Sequence, residues 1–328
     1  MNDDTDDVGA LWFAAMQAGD FEAAWRQTDR IELPRRAAQA QREFVRQPHH
    51  LMWDGTPFDG RRVIVRCNHG LGDTLQFIRF VPWIVRRARR VTTLVQPHLL
   101  RLLSAHAPFG NVVNGWTDEP PPAHDVEIEI MELAYAFRCT TATLPPPPYL
   151  PIANATAAKA TLPQLDRRAA LRAGVLWAAS DWDTTRSMPL AALAPLADVR
   201  DVAFYSLQQG RQREEWREAP FVLAPLSRHT ADIEVAAAAI LEFDLVITVD
   251  AMLAHLAGGL GRPVWLLLQQ ECDWRWMRDR PDSPWYPDMR IFRQPRQGDW
   301  PAVGRAVADA LVRSAADRLS RLRDRPSS

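Results

Sequence analysis

The sequence is short of cysteine, of lysine, of net charge and of long apolar runs. Cys67, Cys139 and Cys272 are its three cysteines. They are odd in number, far apart and without a C-x-x-C pair, so neither a disulfide framework nor a zinc knuckle is expected, and a reducing cytosol is the simplest setting. No window of about 18 uncharged apolar residues occurs, so no segment is expected to span a membrane. The N-terminal MNDDTDDVG is acidic where a secretory signal would be basic. With 39 basic and 40 acidic residues the net charge is −1, which gives no electrostatic case for nucleic acid or an anionic membrane. Lys159 is the single lysine among the basic residues. Genome bias is the first reading of that, although arginine also suits planar, bidentate binding of phosphate. No His/Cys cluster has metal-ligand spacing. The D-x-D of Asp181-Trp182-Asp183 is matched by Asp4-Thr5-Asp6 near the N-terminus, so it carries no metal assignment.

What is present fits two α/β domains. The chain has 328 residues, 47% hydrophobic and 24% charged, enough for two cores of ordinary size. The stretch Phe243 to Leu268, FDLVITVDAMLAHLAGGLGRPVWLLL, organises the rest. Leu245 to Val249 is an apolar, β-branched run without polar alternation and reads as a strand buried on both faces. Asp250 stands where a helix would start and is the expected N-cap. Met252, His255, Leu256 and Leu260 follow at helical spacing, three glycines and Pro263 end the helix, and Val264 to Leu268 is the next strand. Ligands of such β-α-β units bind outside the carboxyl ends of the strands.

In chain order, residues 1–50 are assigned to a helical hairpin, residues 8–31 resembling half of a tetratricopeptide unit with its turn at Gly19-Asp20. One copy cannot form a solenoid, so this piece is expected to dock on the main body or on another subunit, as a protein-partner or self-association surface. Residues 32–59 read as polar and irregular, anchored by Trp53 and Phe58. Residues 51–150 form a first α/β domain: strand Val63 to Cys67, loop Asn68 to Gly72, Asp73 as N-cap, a helix from Thr74 to Arg89 kinked at Pro82, then strands at 91–95, 111–114 and 126–130. LPPPPYLP, Leu144 to Pro151, reads as a stiff connector. Residues 151–300 form the second domain, with strands at 173–178, 202–208, 245–249, 264–268 and 289–294. Residues 301–328 are a final helix and tail.

Each domain offers a strand-loop-helix junction with an acidic residue at the turn. Helix starts at Thr74 and Ala251 would present N–H groups suited to phosphate, and Gly70 and Gly72 would let backbone approach a ligand. The loop lacks the third glycine of a dinucleotide fingerprint and the lysine of a P-loop, so nicotinamide and ATP-hydrolysing readings are poor. Asp73 and Asp250 are helix caps on the bland reading and site residues on the other. His255 reads as a satisfied buried histidine. Trp274, Trp276, Trp285 and Tyr286 either stack on a base or sugar or pin a loop to the core.

Four ordered blocks carry a family resemblance: GLGDTLQFIRFVP (Gly70 to Pro82), GVLWAASDWDTTRSMPL (Gly174 to Leu190), D-x-x-x-A-H-L-A-G-x-L-G-x-P-V-W from Asp250, and DWRWMRDRPDSPWYPDMRIFRQ (Asp273 to Gln294). The chain resembles glycosyltransferase family 9, whose best-known members are heptosyltransferases, and is similar to the bacterial branch in which tetratricopeptide material precedes that domain. The resemblance implies a GT-B fold of two Rossmann-like domains, and inverting, metal-independent transfer of a sugar, a heptose in the best-known members. The donor is a nucleotide-diphosphate sugar and the acceptor a carbohydrate or protein; no resident cofactor is implied. Asp73 becomes the general base. Arg186, Gln208, Asp250, Ala251, Met252 and His255 become donor-site residues, and Gly70, Gly72, Thr74, Trp274 and Trp285 acceptor-side or loop residues. Ala251 stands where the family usually has threonine, and Gly259 where it has alanine, a change expected to loosen the helix. A catalytically idle binding protein and a nucleotide-sugar epimerase are the alternatives.

Overall fold

The structure is a computed structural model and describes residues 3–40, 51–104, 107–150, 152 and 155–323. The chain divides into two compact units, Met1–Pro146 with Asp273–Arg280, and Pro147–Cys272 with Pro281–Ser328. The division at Pro146/Pro147 falls inside the proline-rich connector, Leu144 to Pro151, and the chain returns to the first unit for eight residues.

The first unit contains α1 (Asp3–Gln17), α2 (Phe21–Ala40), β1 (Arg62–Arg66), α3 (Leu71–Phe77), α4 (Val81–Val85), β2 (Arg90–Val95), α5 (Pro97–Ser104), β3 (Asn111–Asn114), β4 (Val126–Glu129) and α6 (Leu133–Ala136). Its parallel sheet has the order β3-β2-β1-β4, so the winding reverses between β1 and β4. The helical hairpin turns at Gly19, whose φ of +77° suits a residue without Cβ. It docks on its own unit: Trp25 Nε1 donates to the Cys139 carbonyl at 2.7 Å, and Trp25 packs on Phe21 and Tyr135.

Residues 32–40 are not irregular, because α2 runs on to Ala40. Their polarity conceals burial. Arg35 Nε donates to Glu32 at 2.7 Å and Nη2 to the Trp53 carbonyl at 2.7 Å. The rest of that expected irregular stretch up to residue 50 lies outside the described residues. The expected Thr74–Arg89 helix is three pieces, α3, a 3-10 turn at Ile78–Phe80 and α4. Pro82 lies in the first turn of α4 instead of kinking a helix, where its missing N–H costs nothing.

The second unit contains α7 (Ala155–Lys159), β5 (Leu171–Leu176), β6 (Val202–Ser206), β7 (Leu223–Pro225), α8 (Ile233–Glu242), β8 (Leu245–Val249), α9 (Met252–Gly259), β9 (Val264–Leu268), β10 (Asp282–Ser283), β11 (Tyr286–Arg293) and α10 (Trp300–Arg323). The sheet order is β10-β11-β9-β8-β5-β6-β7, parallel except for β10. Here the winding reverses between β5 and β8. Every residue of β8 and β9 is buried, and each apolar side chain so placed contributes roughly 1.5–3 kcal/mol. The Leu190–Leu196 segment is a 3-10 helix to Asp198. α10 belongs to this unit, and a Cβ on its Gly304 would lie 1.9 Å from the Ala192 carbonyl oxygen. The proline-rich connector is anchored at its far end. Tyr149 and Leu150 donate to the Gly259 carbonyl at 3.0 and 3.1 Å. A Cβ on Gly259 would lie 2.4 Å from Leu150 Cδ1, so this glycine makes room for the connector rather than merely loosening α9.

Candidate functional site

In both sheets the reversal of winding opens a crevice at the carboxyl ends of two strands, where ligands of this architecture bind. The residues that follow those strands are the candidates.

In the first unit the loop after β1 leads into α3. Asp73 is not the N-cap. Gly70 is, with φ −68° and ψ 160°, and Asp73 is the third helical residue. Its Oδ2 accepts the Gly70 N–H at 2.9 Å, the acidic half of a capping box. A Cβ on Gly70 would lie 3.1 Å from that oxygen, so a glycine there leaves room for the carboxylate to fold back. Gly72 lies inside the helix. The Thr74 N–H donates to the Gly70 carbonyl at 3.2 Å, which corrects its reading as a free phosphate donor. Its hydroxyl donates to Gln96 Oε1 at 3.0 Å, and Gln96 Nε2 to the His69 carbonyl at 2.8 Å. Gln96, at the end of β2, thus braces the loop, and no motif announced it.

The other Asp73 oxygen pairs with the Nη2 of Arg275. Arg275 Nη1 donates to both oxygens of Asp273 at 2.9 Å and Nε to Gln76 Oε1 at 2.8 Å. Trp274 meets Trp12 edge-on with centroids 5.4 Å apart, and Arg275 lies 4.7 Å over its ring. Trp274 therefore pins its segment to the helical hairpin. Across the crevice, β4 ends in Glu129, whose side chain is 8% exposed and lies 3.9 Å from His69 Nε2. Glu129 accepts the Met131 N–H at 2.7 Å, and its Oε1 is buried. Burial, with the Asp73 charge adding, pushes its carboxyl up to about 7. Glu132, one turn on, is pushed up to about 7 by burial although it accepts the N–H groups of Met52 and Trp53.

In the second unit β5 is followed by the loop that carries Arg186, and β8 by Asp250. The N-cap of α9 is Ala251, with no side-chain cap; Asp250 precedes it and is buried. Met252 is the first, half-buried residue of α9. Arg186 Nη1 donates to the Asp250 carbonyl at 3.3 Å. Its Nε lies 3.5 Å from Asp183 without making a hydrogen bond. A guanidinium is thus tied to the backbone at the start of an uncapped helix, an arrangement suited to an anion.

Two of the expected donor-side or loop residues are taken up within the fold. Gln208 Oε1 accepts from Trp177 and Ala178 at 3.1 and 2.9 Å, and its Nε2 donates to the carbonyls of Ala178 and Gln209 at 3.0 and 2.9 Å. All its polar atoms are spent holding the ends of β5 and β6. Trp285 is 0% exposed and has no face for a sugar. His255 is buried with Nδ1 2.9 Å from the Tyr286 hydroxyl, a satisfied core histidine.

No family model matches the chain. It is 27% identical over 302 residues, 79% of this chain, to Protein FlbA of Caulobacter vibrioides. Those residues are 48% of FlbA, so the chain spans about half the length of that relative. A glycosyl transferase family 9 structure from Veillonella parvula superposes with a TM-score of 0.58 at 12% identity, over 81% of this chain and 99% of the other. The ADP-heptose lipopolysaccharide heptosyltransferase II of E. coli does so with a TM-score of 0.56 at 13% identity, over 78% and 99%. The chain has the two-domain GT-B fold of these family 9 glycosyltransferase structures, with an N-terminal helical hairpin.

Proposed function

We propose that the chain is an inverting glycosyltransferase of family 9 that moves a sugar from a nucleotide-diphosphate donor to an acceptor hydroxyl. The observation that carries this is the placement of complementary chemistry at the two crevices: a carboxylate, Asp73, in the first unit, and Arg186 beside the uncapped start of α9 in the second. On this reading the acceptor hydroxyl gives its proton to Asp73 as its oxygen bonds to the anomeric carbon. The bond from that carbon to the phosphate oxygen breaks, and the nucleoside diphosphate leaves with the electron pair. Arg186 and the first N–H groups of α9 offset the charge that develops on the leaving phosphate. Transfer needs no divalent metal and should persist in chelator. The setting proposed is a reducing cytosol, the simplest one for three cysteines scattered along the chain.

A catalytically idle relative is the second reading. It is favoured by Ala251, which brings no hydroxyl to the phosphates, and by the engagement of both Asp73 oxygens. Calorimetric titration with ADP, UDP, GDP and their hexose conjugates tests the proposal. Binding followed by transfer supports it. Absence of binding by all of them at millimolar concentration overturns it, and binding without turnover on any acceptor favours the idle reading.

A further inference from the structure

Gln269 follows directly on β9, and its place in the sheet draws it towards the same crevice. Val249 pairs with Leu267 in parallel register, so Gln269 lies one residue beyond the carboxyl end of β9, next to the strand from which the chain enters α9. The side chain is nearly buried, at 6% exposure. Its Oε1 is wholly buried and has no hydrogen-bond partner among the described residues. A buried amide oxygen without a donor costs free energy, and interiors seldom tolerate one unless something external satisfies it.

The surroundings decide what that something is. Arg186 and the uncapped start of α9 make the neighbouring space a place for an anion. An ionised phosphate offers only acceptors, so it cannot satisfy a carbonyl oxygen. A group that lies beside a phosphate and brings a proton to donate is a hydroxyl. We propose that Gln269 is a specificity residue that accepts a hydrogen bond from a carbohydrate hydroxyl of the nucleotide sugar. This rests on the donor-site reading above and adds to it the residue that distinguishes a nucleotide sugar from a bare anion. The hydroxyl belongs either to the ribose or to the transferred sugar, and the experiment separates them.

The test compares wild type with Gln269→Met by calorimetry, using inorganic pyrophosphate, the nucleoside diphosphates and their hexose conjugates. Methionine fills similar volume without an acceptor, and Gln269→Asn, which withdraws the amide by one methylene, replaces it should the first variant fail to fold. Pyrophosphate has no carbohydrate hydroxyl, so its affinity, measured at a pH where it is fully ionised, is expected to stay at the wild-type value. The hydroxyl-bearing ligand should bind roughly 2- to 12-fold more weakly to the variant, the range of one net hydrogen bond. Loss already present with the bare nucleotide assigns the ribose; loss confined to the conjugate assigns the transferred sugar. Equal affinities in variant and wild type for every ligand, or an equal loss with pyrophosphate, overturn the inference while leaving the proposed function standing. Wild type that binds no nucleotide overturns both.

Discussion

Replacing Asp73 by asparagine separates the structural work of this side chain from its proposed chemistry. Asparagine keeps an oxygen for the Gly70 N–H, which Asp73 accepts at 2.9 Å. It cannot keep the ion pair with Arg275, whose side chain is 9% exposed. Breaking a buried pair costs about 3–5 kcal/mol when the partner is left uncompensated. Arg275 would not be, since Asp273 holds it through two contacts at 2.9 Å. Asp73 is also 24% exposed, so the loss should approach that of one charge-assisted hydrogen bond reduced by solvent, about 1–2 kcal/mol. A domain of this size loses roughly 2–4 °C of melting temperature per kcal/mol. A small, measurable drop is therefore expected, smaller in Asp73→Asn than in Asp73→Ala, which also loses the capping-box bond to the Gly70 N–H. Activity should fall much further, by about 10²- to 10⁴-fold for loss of a general base. The assay pairs thermal melting with release of nucleoside diphosphate from the donor in the presence of a working acceptor. Transfer at the wild-type rate by Asp73→Asn would refute the base and leave Asp73 the acidic half of a capping box and an ion-pair partner. An unchanged melting temperature would refute the energetic argument for Arg275.

Arg186→Ala should weaken nucleoside diphosphate binding about 10- to 100-fold, the scale of a hydrogen bond to a charged group, with the melting temperature little changed; calorimetry showing unchanged affinity would remove Arg186 from the site. Arg211, the nearest substitute, is 81% exposed and paired with Asp181. The carboxyl of Glu132 is raised from its ordinary value to about 7, so the folded state binds more protons than the unfolded one between pH 4.5 and 7, and its destabilising effect is absent below that window and complete above it. Glu132→Gln should lose this dependence, so its melting temperature relative to wild type should rise with pH across the window, by the equivalent of about 3 kcal/mol at most; a flat difference would show that burial does not hold the proton. The offset at low pH is separate, because glutamine sets an NH₂ against one of the two N–H groups that Glu132 accepts. Gly304→Ala should lower the melting temperature by the equivalent of about 1–3 kcal/mol, since its Cβ would lie 1.9 Å from the backbone oxygen of Ala192; a wild-type melting curve would show that α10 can shift freely.

Periodicity alone determined the core of the second unit. Leu245 to Val249 and Val264 to Leu268 are strands because an unbroken apolar run has no solvent face to offer, and the structure buries every residue of them. The order of apolar strands and helices between them is enough to fix α/β class, and the quoted blocks pointed to a fold that the solved structures share. Local patterns also located the two junctions, after β1 and after β8. They did not place the caps. Asp73 and Asp250 looked like N-caps because sequence shows residue type and not the backbone angle at which a helix starts; Gly70 and Ala251 hold those positions. The polar run after Ile31 looked irregular because a buried ion pair such as Glu32–Arg35 has the same letters as a solvated face. The sequence also does not show that Gln208 makes four internal bonds, which reach backbone groups just beyond the ends of β5 and β6. Arg275 lies 202 residues from Asp73 in the chain, and no spacing rule joins them. Only the return of Asp273–Arg280 to the first unit brings that charge to the carboxylate. Element type follows from side chains close in sequence, whereas the partners of a buried charge are set by which distant segments the folded chain packs together.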